Sequence, residues 1–169
     1  LLVGSASYND DGSTTEGTAE GGRQIVLYSV NDFNFELEQI QSYAHVMHHE
    51  FAHILHQNVE YDAEFEKITP SYSSSWMQMN DETARSKGFI TAYAFSSADE
   101  DFAEMVSIML TNSPEDWDNM IENAGNAAAV EALRKKEAIV VAYMKNNWGV
   151  NMKDFQKEVV AAIEAAVRN

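Results

Sequence analysis

Cysteine is absent from all 169 residues, which removes disulfides, a thiolate nucleophile and thiolate metal ligands together. Basic residues are scarce: 11 Lys and Arg stand against 27 Asp and Glu, a formal charge of −16 with a pI near 4.5. A surface of that sign repels phosphate backbones and anionic lipid and argues against nucleic acid as a partner, while also serving solubility. No apolar run approaches the roughly 18 residues of a membrane-spanning helix. Neither a Gly-rich phosphate loop nor a Ser-His-Asp set is present. Leu1-Leu2-Val3 lacks a basic flank and a cleavage pattern, so no signal peptide is visible, and the abrupt opening leads us to expect a segment upstream. What remains suffices for a core. Hydrophobic residues make up 45% and aromatics 11%, in a length that fits one domain over residues 1–169.

Only two prolines punctuate the chain, and both mark helix boundaries: Pro70 follows a short helix expected within 58–76, and Pro114 opens another behind Ser113. Residues 1–20 are rich in Gly, Ser, Thr, Asn and Asp, carry Asp11-Gly12 as a turn signal, and read as a surface loop. Residues 24–30 (QIVLYSV) read as a strand, and with residues 1–3 give at most two. Helical patterning begins near Asn34, with Asn34 or Asp32 as its cap. Residues 82–95 are broken by Gly88 and read neither way. Ser97 and Glu100 have capping-box spacing ahead of a helix over Ala98–Thr111. Ala127–Trp148 and residues 151–168 read as amphipathic helices separated by Gly149. Met105, Met109, Trp117 and Trp148 read as packing. Asp10-Asp11-Gly12-Ser13 is similar to the opening of a calcium loop but lacks the closing Glu.

The chemistry concentrates in His49-Glu50-Phe51-Ala52-His53, within YAHVMHHEFAHILHQ at 43–57. Side chains four apart on a helix lie one turn apart on one face, where two imidazoles can grip one metal ion. A Glu directly after the first His sits beside that face, placed to act as a base toward water. Leu37, Ile40, Ala44, His48, Phe51 and Leu55 recur at spacings of three and four and form a core stripe. His49 and His53 fall off that stripe, with Glu50 at its edge. Two solvated surface histidines are the bland alternative; the long, capped, amphipathic setting favours a metal. His48 reads as a hydrogen-bonded core histidine, and His45 and His56 as ordinary polar neighbours.

A catalytic zinc takes three protein ligands and keeps a position for water. The metzincin pattern would continue with Gly and then His, but His56 and Val59 occupy those places. A third ligand must come from elsewhere. Glu100 and Glu104 are four apart, so one could bind metal while the other accepts the Nδ1–H of a ligand histidine. By spacing alone an equal reading makes Glu100 the capping partner of Ser97 and leaves Glu104 in solvent. Asp99 and Asp101 point elsewhere.

The succession His49-Glu50-x-x-His53, Tyr93, Glu100-x-Phe102-Ala103-Glu104 resembles the catalytic core of anthrax lethal factor and its relatives, over residues 43–110. Those are gluzincins, in which a Glu supplies the third ligand. Gly4-Ser-Ala-Ser-Tyr8, Glu20-Gly-Gly-Arg23 and residues 48–57 bring the chain closer still to the substrate-import-associated zinc metallohydrolase lipoproteins. These occur beside outer-membrane nutrient-uptake systems of Gram-negative gut-type bacteria. The resemblance implies His49, His53 and Glu100 as ligands of Zn2+, Glu50 as general base and Glu104 as the partner of a ligand histidine. It implies Tyr93 as the hydroxyl donor to the oxyanion, with Tyr72 as its rival. The fold it implies is α+β and zincin-like: a small sheet, the metal helix over 34–57, the Glu helix over Ala98–Thr111 and a helical C-terminal part. Strand 24–30 would then run along the cleft and pair with an extended peptide.

The expected activity is hydrolysis of peptide bonds, by a lipoprotein held at the outer membrane, periplasmic or at the cell surface, with nutrient-uptake components as further partners. The alternative is a zinc-retaining surface binding protein with little or no turnover. Glu50 argues against it, because a pure binder has no use for a base there. A structural zinc site is disfavoured, since such sites are closed and usually Cys-rich.

Overall fold

The stretch read as a surface loop over residues 1–20 instead carries strands, which form two antiparallel hairpins in place of the two strands expected at 1–3 and 24–30. The computed structural model describes residues 1–10, 12–34 and 36–168. β1 (Ser7–Tyr8) pairs with β2 (Thr14–Thr15), and β3 (Gly17–Glu20) with β4 (Gln24–Leu27). Composition hides β3, because Gly-Thr-Ala-Glu is poor in strand formers. The strand expected over 24–30 stops at Leu27: Ser29 turns left-handed at φ 57°, and Val30–Asp32 form a 3-10 turn. Residues 1–3 run parallel to β4, with Leu27 N–H donating to Leu1 O at 2.9 Å and Val3 N–H to Leu27 O at 2.8 Å. β4 is therefore flanked on both sides. The outer edge of β3 has no backbone partner among the described residues. Asp11, which belongs to the turn signal and the calcium-loop-like stretch, lies outside the described residues.

The described helices are α1 (Leu37–Asn58), α2 (Glu64–Ile68), α3 (Asp81–Arg85), α4 (Ala98–Thr111), α5 (Pro114–Glu122), α6 (Ala127–Trp148) and α7 (Met152–Val167). With the two small sheets they make an α+β arrangement. Caps stand where residue type placed them at Ser97 and Ser113, which accept from the N–H of Glu100 and Asp116, and Asn126 likewise accepts from Ala129 N–H at the start of α6. Each such cap contributes about 1 kcal/mol. Gly149 closes α6 at φ 69°. α1 departs from expectation, since neither Asn34 nor Asp32 caps it. Glu36 is the boundary residue, and Asn34 Oδ1 accepts from Glu36 N–H at 3.0 Å, one step short of the helix.

α4 is the axis of the core, buried almost continuously from Asp101 to Leu110, and packs against α1, α6 and α7. Two contacts fix its rotation. Phe102 stacks on Tyr61 (4.4 Å, 9°) and meets Phe65 and Tyr143 edge-on; aromatic pairs of this kind contribute about 0.5–1.5 kcal/mol beyond burial. Asp101 Oδ2 accepts from Lys136 of α6 at 2.6 Å, and both side chains are 0% exposed. Lys136 also donates to Gly88 O at 2.7 Å and lies 4.2 Å over the Phe89 ring. Burial pushes the Asp101 carboxyl up to about 6 against the pull of Lys136, and burial likewise lowers the lysine. With 101 and 102 held by other elements, 100 and 104 turn toward α1. Met105, Met109 and Trp117 are buried, but Trp148, read as packing, is 37% exposed where α6 runs past the core.

Candidate metal centre

α1 lies between α4 on one side and β3 and β4 on another, so its histidine face is not the open surface that periodicity implies. His49 and Glu50 are buried together with Ile40, His48, Ala52 and Leu55. Leu37, counted in the core stripe, is 47% exposed. Neighbouring elements, which periodicity cannot register, decide which faces are covered. His48 is a core histidine, with Nδ1–H donating to Ala44 O at 2.7 Å.

Three lone-pair donors converge between α1 and α4. His49 Nε2 lies 3.0 Å from His53 Nε2 and 2.9 Å from Glu100 Oε2, and His53 Nε2 lies 3.2 Å from Glu100 Oε2. Donors about 2.0–2.1 Å from a tetrahedral zinc stand about 3.3 Å apart, so this triangle is nearly the face of such a site. A cation suits all three at once, and two imidazoles with one carboxylate are a donor set that zinc accepts. Glu100 also completes the cap of α4, since its N–H donates to Ser97 Oγ at 3.2 Å while its side chain reaches the histidines. Ser97 caps α4 through that backbone N–H alone, and the reciprocal side-chain bond of a capping box is not made among the described residues, because the Glu100 carboxylate is at the histidines.

Each imidazole is oriented from behind. His49 Nδ1–H donates to Glu104 Oε1 at 2.8 Å, which leaves the Nε2 lone pair facing His53 and Glu100. His53 Nδ1 lies 2.7 Å from His56 Nε2, and His56 Nδ1 faces Asp99 at 4.0 Å. Burial lowers the His56 imidazolium, and a neutral His56 presents Nε2 as an acceptor for His53 Nδ1–H. Glu104 is not in solvent; it is buried and takes two more donors, His45 Nε2 at 3.1 Å and Thr91 Oγ1 at 2.6 Å. Burial by itself would raise both glutamates, yet the histidines hold Glu100 at about 2 and Glu104 well below the usual carboxylate range. Burial would lower His49, but the two carboxylates outweigh it and push it up to about 10. The two carboxylates favour positive charge between the helices, which a divalent cation would supply.

Glu50 leaves α1 toward β3. Gly17 passes so close that a Cβ there would lie 2.8 Å from Glu50 Cγ. Burial raises the Glu50 carboxyl above its ordinary 4.5. Tyr93 stands on a 3-10 turn (Tyr93–Phe95), its ring 5.8 Å from that of His49 and edge-on to Trp76 at 4.9 Å. Burial raises the Tyr93 phenol, as does the negative charge of the nearby Glu100 carboxylate, while the residue remains 37% exposed. Tyr72 is elsewhere: its hydroxyl donates to Asp101 Oδ2 at 3.0 Å.

By sequence His45 and His56 read as ordinary neighbours. They are the partners of Glu104 and His53, and Ser107 Oγ also holds His45 Nδ1 at 3.0 Å. Their spacing from the motif, four before His49 and three after His53, is the signal that could have found them. Thr91 and Gly17 carry none.

The sequence model of a family described as "putative zinc-binding metallo-peptidase" matches residues 1–153. The crystal structure of a protein of that description from Bacteroides caccae ATCC 43185 superposes with a TM-score of 0.78 at 34% sequence identity, over 95% of this chain. The match takes in 62% of that longer relative. No curated protein matches the sequence. With 1–153 matched and the histidine pair and Glu100 drawn together on α1 and α4, the chain belongs to the family so described.

Proposed function

We propose that this chain is a zinc-dependent peptidase of the gluzincin type on a zincin-like domain. His49, His53 and Glu100 hold the ion, Glu50 is the general base and Tyr93 donates to the oxyanion. The observation that carries the reading is the convergence of His49 Nε2, His53 Nε2 and Glu100 Oε2 within 2.9–3.2 Å, with a buried carboxylate one residue along the same helix. Zinc bound there supplies Lewis acidity toward a peptide carbonyl and lowers the pKa of a water. Glu50 takes the proton of the attacking water on its carboxylate and returns it to the leaving amine nitrogen. Burial brings its carboxyl nearer neutrality, which favours both transfers. The Tyr93 hydroxyl donates to the negative charge that grows on the carbonyl oxygen. Glu104 keeps His49 in the tautomer that presents Nε2.

The edge offered to an extended peptide is β3 and not residues 24–30. Leu27 spends its N–H and C=O on residues 1–3, so Gly17 opposite it turns its own N–H and C=O outward, beside Glu50. On resemblance alone we further propose kinship with the lethal-factor-type gluzincins and with the substrate-import-associated lipoproteins. From that follows a location at the outer membrane beside nutrient-uptake components. No described helix is long and apolar enough to cross a membrane.

Glu50→Gln is the deciding experiment. It should keep zinc stoichiometry and lower kcat on a cleaved peptide by about 10²–10⁴, the range for a lost general base. Zinc binding with unaltered turnover would refute the enzymatic reading.

A further inference from the structure

Glu104 does more than orient His49. Its second oxygen, Oε2, accepts from Thr91 Oγ1 at 2.6 Å, and that hydroxyl in turn accepts from Ala94 N–H at 3.1 Å. Thr91 Oγ1 therefore accepts an N–H of the 3-10 turn that carries Tyr93, while its single proton is committed to the carboxylate holding His49 Nδ1. Thr91 and Glu104 are both buried, so water does not compete for these bonds. The turn has other tethers: Ala92 N–H donates to Asp81 Oδ1 at 2.8 Å, and Ser73 N–H to Phe95 O at 2.9 Å. Neither of these reaches α1. A hydrogen-bonded path from the Tyr93 turn to α1 runs Ala94 N–H, Thr91 Oγ1, Glu104 and then His49 Nδ1, with His45 Nε2 on the same carboxylate.

We propose that Thr91 is a positioning residue that ties the placement of the Tyr93 phenol to that of the His49 imidazole through one shared carboxylate. Without the hydroxyl, Glu104 keeps a buried oxygen with no donor and Ala94 N–H of the Tyr93 turn loses its acceptor, so both sides of the centre loosen together. The proposal deepens the peptidase reading and rests on it only in part, because the hold on the metal ligand is measurable without turnover.

Thr91→Val removes the hydroxyl at nearly constant volume, and Thr91→Ser retains it. The first measurement is zinc affinity by chelator competition. Thr91→Val should weaken binding about 3- to 10-fold, below the 10–100-fold typical when an orienting partner is lost outright. Thr91→Ser should recover most of that loss, and Thr91→Val should add nothing in a Glu104→Ala background. The second measurement is turnover. Thr91→Val should lower kcat about 10-fold or more with KM within about threefold, since a small misplacement near the reacting atoms is costly. In a Tyr93→Phe background that loss should largely vanish. Unaltered zinc affinity in Thr91→Val, or a loss that adds in full to that of Glu104→Ala, overturns the proposal. If no peptide is cleaved even by the wild-type protein, the peptidase reading fails and the zinc cycle alone decides the role of Thr91.

Discussion

Gly17→Ala tests the site through a residue that is neither ligand nor base. An added Cβ would meet Glu50 Cγ and Val46 Cγ1 at 2.8 Å each and Glu50 Oε1 at 3.0 Å. Carbon atoms rest about 3.5–4.0 Å apart, so the overlap is roughly 0.7–1.2 Å on two sides at once. Val46 is β-branched and stiff within α1, and Glu50 Cγ is the middle of its side chain rather than a free end. Either β3 lifts from α1 or Glu50 is displaced by about that distance. Overpacking of this kind costs about 1–3 kcal/mol, a fall in Tm of roughly 2–12 °C for a domain of this size. A displacement near 1 Å at the reacting groups costs up to about 10²-fold in rate. The expected result is kcat down about 10–100-fold with zinc affinity within about threefold, because the methyl touches none of His49, His53 or Glu100. The assay pairs peptide turnover with chelator competition and a thermal melt. A variant with kcat within about twofold of wild type and an undisturbed melt would show that β3 does not press on Glu50.

Further outcomes follow from the same geometry. Glu100→Ala should weaken zinc binding far more than Glu104→Ala, whose effect should be about 10–100-fold; the reverse order in a competition titration would exchange their roles. Tyr93→Phe should lower kcat by up to about 10²–10³ with zinc retained, whereas Tyr72→Phe should leave kcat alone and cost stability, since its hydroxyl serves Asp101. Lys136→Met should cost about 3–5 kcal/mol in urea unfolding by leaving Asp101 buried and unpaired; pairing it with Asp101→Leu should recover most of the loss.

The residues that bear local chemistry are legible before any coordinates. His49, Glu50 and His53 announce themselves by spacing on one helix, and the caps at Ser97 and Ser113 mark helix starts that the structure keeps. Glu100 and Glu104 stand out together but cannot be told apart by spacing, because both lie on one face of α4. Their difference is one of depth along α1: Glu100 reaches the Nε2 atoms and Glu104 the Nδ1. The β3 strand escapes a sequence reading because four residues of Gly, Thr, Ala and Glu owe their place to β4 and α1 rather than to their own propensity.

Donor types, their helical phase and the capped helix that presents Glu100 depend on neighbours within one turn of chain, so the order of amino acids alone sets them. What lies behind and across from those donors is a matter of tertiary packing. His45 and His56 become orienting partners, Thr91 meets Glu104 and Gly17 meets Glu50, while Tyr72 is drawn off to Asp101. Behind His45 stands Ser107, 62 positions along the chain, and no local pattern encodes a contact of that range. These contacts arise because Phe102 and the Lys136–Asp101 pair set the rotation of α4 against α1, and that rotation follows from the packing of the whole core.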